Sequence, residues 1–244
     1  MPERAKINLG IGNIYLMGEN LQFRVESIKD IPKLISFLDE YSLITQKQGD
    51  YFLFKQVVNL VLNGEHLTME GLCKIIAIKA SMNRGLSINL KYTFPGVLPV
   101  ERPLILHSVI PNAQWLAGFT SAEWCFSIGI KKSKSHKLGV QVQLNFVLTQ
   151  HIRDEQLISR IIMYLNCGKI SKTREAVRFK VENFTDLIDK IIPFFKNYQI
   201  IGVKAKDFDD WCKAAELVKI KAHLTEDGLN KICEIQKGMN SRRK

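Results

Sequence analysis

The sequence predicts an α+β fold built from two pseudo-symmetric copies of one unit, the first copy truncated. Three observations carry this. The chain repeats itself: residues 66–83 (HLTMEGLCKIIAIKASMN) and 223–240 (HLTEDGLNKICEIQKGMN) agree at ten of 18 positions at an offset of 157. Unrelated segments would share about one or two. Each copy also pairs a stretch of strand-like alternation with helical segments behind it, and each enters its last helix through the same Leu-Thr signal.

The repeat extends backwards from His66 and His223. Asp50 falls on Asp207, Lys47 on Lys204, Tyr41 on Tyr198 and Phe37 on Phe194. After one gap the offset becomes 156, with Phe23-Arg24-Val25-Glu26 on Phe179-Lys180-Val181-Glu182 and residues 9–14 on 165–170. Alternation predicts strands at 21–27 and 175–183. Helices are expected at 29–41 and 185–197, then at 50–62 and 207–217. The last helix of each copy is capped by Thr68 or Thr225, with an acid close behind at Glu70 or Asp227. Residues 85–113 carry four prolines (95, 99, 103 and 111) and read as a linker, so the expected division is 1–84, 85–113 and 114–244. About 50 residues of the second copy, a helix at 112–123 and two strands, have counterparts that would fall before Met1.

Composition narrows the functional classes. The chain has 244 residues, of which 46% are hydrophobic and 24% charged, as in a globular chain and unlike a disordered one. No apolar run approaches the roughly 20 residues that cross a bilayer, so no membrane partner is expected. The net charge of +11 favours a polyanion, and charge alone does not choose between DNA and RNA. The odd set of five cysteines (73, 125, 167, 212, 233) contains no CxxC pair and reads as reduced thiols. Residues 1–6 match neither a signal peptide nor a transit segment, so either the protein stays where it is made or its start is displaced. The histidines at 66, 107, 136, 151 and 223 read as structural or surface groups.

The unmatched stretch is the informative one. Trp115-Leu-Ala-Gly-Phe-Thr-Ser-Ala-Glu-Trp-Cys-Phe-Ser-Ile128 resembles the motif of LAGLIDADG homing endonucleases, in the single-chain, two-motif form of fungal mitochondrial introns. The resemblance takes in residues 201–213 and both HLTxxGL segments as well. It implies an αββαββα unit with a saddle-shaped antiparallel sheet, mitochondrial origin and a long specific double-stranded DNA site cut by metal-assisted hydrolysis. In the family two motif helices cross, each delivering one acid from its C-terminal end. By position Glu123 is that acid, and the Ala122 carbonyl is its companion ligand for Mg²⁺ or Mn²⁺. Lys204 and its repeat partner Lys47 take the places of the lysines that act near the scissile phosphates. The small residues Ala117, Gly118 and Ala122 suit close helix approach.

Behind the motif the strands show one apolar and one polar face. Gln141, Gln143 and Asn145 alternate with apolar residues, as do Ser127, Gly129 and Lys131, and Arg178, Lys180 and Glu182; Gln22 and Arg24 are the first-copy counterparts. Such a face suits major-groove base edges; without the resemblance it is equally the wet side of an amphipathic sheet. Two departures from the family stand out. Trp124 follows the acid where the family has Gly, which predicts an altered helix end. The first motif and its acid lie outside the chain, which predicts an impaired metal site and an uncovered apolar face on the motif helix at Leu116 and Phe119. A monomer is expected, with association through that helix. A group I intron maturase that binds RNA, or a DNA-binding remnant without cleavage, are the alternative functions.

Overall fold

Residues 1–108 and 109–244 form two compact units in the computed structural model, which describes residues 2–18, 20–105 and 109–240. His107 lies outside the described residues. In the first unit, α1 (Pro2–Leu9) leads into an antiparallel hairpin, β1 (Asn13–Met17) and β2 (Asn20–Arg24), with Asn13 opposite Arg24. Then come α2 (Ile31–Glu40), α3 (Lys47–Leu62) and α4 (Met69–Ser81). Thr68 caps α4 as expected, its hydroxyl accepting the Gly71 N–H at 3.0 Å. Within 85–113 a short helix, α5 (Ile88–Thr93), is capped by Ser87. Beyond it Arg102 reaches back to α3, donating to both Asp50 carboxylate oxygens at 2.7 and 3.0 Å and to the Gln46 carbonyl at 2.7 Å.

The second unit opens with α6 (Ala113–Glu123), whose cap Asn112 accepts the Trp115 N–H at 2.8 Å. Strands β3 (Trp124–Lys132) and β4 (Val140–His151) follow, then α7 (Glu155–Leu165), β5 (Lys169–Lys172) and β6 (Ala176–Val181). All pairings are antiparallel, in the order β3-β4-β6-β5. A helix over 184–197, α8, contains a π turn at Leu187–Ile191, and α9 (Val203–Lys219) and α10 (Glu226–Lys237) complete the unit. The inward sheet face is aromatic. Trp124 stacks on Phe146 at 4.1 Å, and Phe126 lies 5.4 Å from Trp211 of α9 and 6.1 Å from Phe195 of α8.

Matched positions do matched work. Asn83 and Asn240 both take left-handed backbone (φ 48° and 57°) as their chains leave the last helix, and both donate their N–H to the aligned aspartates, Asp50 at 3.1 Å and Asp207 at 3.0 Å. Gly71 and Gly228 sit where a Cβ would collide with the carbonyls of Glu65 and Ala222. The copies nevertheless differ in burial. Phe179, Val181, Phe195 and Trp211 are at most 1% exposed against the β3–β4 layer. Their counterparts Phe23, Val25, Leu38 and Phe54 are only half-buried, because no element among the described residues of the first unit corresponds to α6, β3 and β4.

The structure corrects two expectations. Leu116 is fully buried, not uncovered, because α6 turns Leu116 and Ala117 inward, packing on β3, β4 and α9. The outward stripe of α6 is Trp115, Gly118, Phe119 and Ala122, and a Cβ on Gly118 would meet nothing within 4 Å. Nor does Trp124 distort the helix end. Its backbone is extended (φ −100°, ψ 159°), and its N–H still bonds to the Thr120 carbonyl, so no positive φ is required of it. The tryptophan begins β3 and fills the aromatic core.

Candidate nucleic-acid interface

The side-chain period of two sorts the second sheet into faces. Trp124, Phe126, Phe146, Leu148, Val177 and Phe179 go inward, so the residues between them must go outward. Register then brings the sequence-derived candidates side by side. Ser127 lies opposite Asn145, Gly129 opposite Gln143, and Lys131 opposite Gln141. Across the next ladder Lys180 meets Val147 and Arg178 meets Thr149, on the same face. The result is one surface rich in amide and basic groups. Lys131, Gln141 and Arg178 are exposed, whereas Ser127, Gly129, Gln143, Asn145 and Lys180 are half-buried.

One outward group escaped sequence reasoning, and a second, Glu182, was placed on this face by alternation but without its partners. Lys169 lies opposite Lys180 on β5, a strand of four residues, too short for alternation to show. The alignment of residues 165–170 with 9–14 could have found that strand. Glu182, just past β6, takes ion pairs from Lys169 at 2.7 Å and Lys180 at 2.6 Å, and those two cations hold its carboxyl down at about 2. It also accepts from Gln143 Nε2 at 2.8 Å, and Gln143 Oε1 accepts from Lys131 Nζ at 3.3 Å.

The motif helix ends at the same sheet. Glu123, the last residue of α6, is exposed, and its carboxylate accepts from Gln150 Nε2 at 3.4 Å. Ala122 is exposed beside it. The helix dipole is negative at this end, and the last carbonyls of a helix have no intrahelical donor, so a carboxylate here calls for a cation. Lys204, in the first turn of α9, donates through Nζ to the Trp124 carbonyl, one peptide beyond Glu123. Ser121 Oγ accepts the Ile201 N–H at 2.9 Å and ties the approach to α9 to the motif helix. Among the described residues no three His, Cys, Asp or Glu side chains cluster as a metal cage. A single exposed carboxylate at a helix C-terminus fits a Mg²⁺-type ion, which keeps several waters and takes only one or two carboxylates.

In the first unit, Gln22 and Arg24 lie on β2, and Arg24 donates to Gln22 Oε1 at 3.0 and 2.7 Å, with its guanidinium 5.0 Å from the Tyr15 ring centre. Lys47 is exposed at the start of α3, as its partner Lys204 is near the start of α9.

The sequence model of the LAGLIDADG endonucleases matches residues 1–58 and 116–215. The chain belongs to this family. "Probable intron-encoded endonuclease 3" of Neurospora crassa is 45% identical, in an alignment that covers 91% of this chain and 43% of that protein. "Probable intron-encoded DNA endonuclease 1" of Mycosarcoma maydis is 30% identical, covering 84% of this chain and 80% of that one. A crystal structure of the I-SmaMI LAGLIDADG homing endonuclease bound to cleaved DNA is 45% identical, with a TM-score of 0.96 over 99% of this chain and 82% of that chain. The same protein has been solved on uncleaved DNA in the presence of calcium ions. This LAGLIDADG chain spans about half the length of the two Neurospora crassa relatives it matches, 43% and 50%.

Proposed function

We propose that this chain reads a long, specific double-stranded DNA site and contributes one catalytic centre to its metal-assisted cleavage, as an intron-homing endonuclease of mitochondrial origin. The observation that carries this reading is the juxtaposition in the second unit. A sheet face of Gln, Asn, Arg and Lys side chains adjoins an exposed helix-end carboxylate. Gln141, Gln143 and Asn145 would hydrogen-bond adenine edges, and Lys131, Arg178 and Lys180 guanine edges. Ser127 and Gly129 leave room for close approach, and Gln22 and Arg24 extend the reading to the first unit.

At the cleavage centre, the Glu123 carboxylate and the Ala122 carbonyl would hold Mg²⁺ (or Mn²⁺). The bound ion supplies charge stabilisation to the attacking and leaving oxygens of the phosphodiester. Lys204, held against the Trp124 carbonyl, would offset negative charge developing on the scissile phosphate or help to activate the attacking water by orienting it. Lys47 plays that part in the first unit. DNA binding without cleavage by residues 1–244 is the alternative outcome of the test.

Selection from a randomised duplex library bound in Ca²⁺ and then switched to Mg²⁺, with sequencing of the ends, tests both. Defined ends that vanish with Glu123→Gln support cleavage. Enriched sites without ends support binding alone. No enriched duplex, together with tight binding to structured group I intron RNA, would overturn both in favour of a maturase.

A further inference from the structure

We propose that Glu182 is a positioning residue: it fixes the Gln143 amide for base reading and restrains Lys169 and Lys180 from indiscriminate phosphate binding. This rests on the DNA-reading function above and adds the origin of its selectivity. Among the residues lining the outward face of β3–β6, Glu182 is the carboxylate at the centre of a four-membered network. Lys169, Lys180 and Gln143 all point their donors at it, at 2.7, 2.6 and 2.8 Å. Its side chain is 20% exposed, while that of Lys169, at the rim, is 68% exposed.

Two consequences follow from the donor and acceptor inventory. Gln143 is held from both ends, its Oε1 accepting from Lys131 at 3.3 Å and its Nε2 donating to Glu182. One N–H and one lone pair of the amide stay free, the pair that an adenine edge requires. With the carboxylate gone, the amide keeps only the longer, exposed contact from Lys131, and it turns over more readily to present donor and acceptor interchanged. The second consequence is electrostatic. A carboxylate held ionised by two ammonium groups keeps both from gripping phosphate, and each added phosphate contact steepens the salt dependence of binding by about 0.9.

The first copy contains the same device. Glu26, aligned with Glu182, accepts from the Tyr15 hydroxyl at 2.9 Å and pairs with Arg24 at 3.5 Å. Arg24 is the counterpart of Lys180, whereas Tyr15 on β1 falls on Ser171 of β5, one outward position along from the counterpart of Lys169, Asn13. In each copy a carboxylate two residues beyond the basic residue of the reading strand holds that residue and one from the paired strand.

The test compares the wild-type chain with Glu182→Gln and Glu26→Gln, both close to isosteric. Each protein is put through selection from a randomised duplex library in Ca²⁺. Fluorescence anisotropy then follows on the enriched and a scrambled duplex at several salt concentrations, with thermal unfolding as the folding control. Glu182→Gln is expected to relax base preference at one or two adjacent positions only. It should also bind the scrambled duplex several-fold more tightly at about 0.1 M salt, with a slope steeper by about one to two. Glu26→Gln is expected to relax a separate set of positions, and it carries the test alone if the first variant does not fold. Unchanged preference profiles and slopes in folded variants would overturn the proposal and leave a structural ion pair. No enriched duplex for the wild-type chain would instead overturn the DNA-reading function itself.

Discussion

At the scale of single residues, ionisation states follow from neighbours. Glu182 is held at about 2 by Lys169 and Lys180, below the carboxylate's ordinary 4.5. A depressed folded value means stability that is present above the unfolded value and lost as pH falls through the folded one. The wild-type chain is therefore expected to lose stability between about pH 4.5 and pH 2 by an increment that Glu182→Gln lacks. Chemical denaturation of both proteins across that range measures it, and parallel curves would refute it. Burial acts in the opposite direction on thiols, pushing Cys167 up to about 11 and Cys212 up to about 12. Both are expected to resist iodoacetamide at pH 8 in the folded protein and to react once it is unfolded, as mass spectrometry of the labelled peptides would show.

At the scale of elements, the junction of α6 and β3 shows a residue type replaced together with its job. Trp124 is 0% exposed, stacks on Phe146 and meets Phe179 edge-on at 5.2 Å. Trp124→Gly, which would bring the family's residue to this position, is expected to destabilise the chain by about 4 kcal/mol or more. The loss combines a cavity with a flexible residue at the head of a strand. The indole N–H is buried with no partner among the described residues. Trp124→Phe removes that unpaired donor, so it should cost far less than Trp124→Gly in urea unfolding. The reading face is likewise a property of elements. Alternation located Gln141, Gln143, Asn145, Arg178 and Lys180 from sequence, whereas the four-residue β5 and the helices α1 and α7 were not legible. Their periodic signal is short or, for α7, was hidden behind a repeat match that began at its last residue.

At the scale of the whole molecule, the two copies have one plan and unequal cores. The first-copy hairpin is two-stranded, and such hairpins are marginal without a covering layer. Amide exchange is expected to be faster in β1 and β2 than in β3, β4 and β6 by about tenfold or more, the contrast that half-buried Phe23 and Phe54 imply beside buried Phe179 and Trp211. Equal protection in the two units would contradict this. Its motif pointed to the family, and by itself the spacing in the sequence determined the duplication and the polar strand faces. These depend on spacing along the chain, where a period of two or 3.6 and a repeated cap are written directly. Only the tertiary structure decided that Leu116 turns inward, that Trp124 belongs to the core, and that Glu182 gathers Lys169, Lys180 and Gln143. Those outcomes depend on strand register and on which helix covers which face, set by packing between residues far apart in the chain.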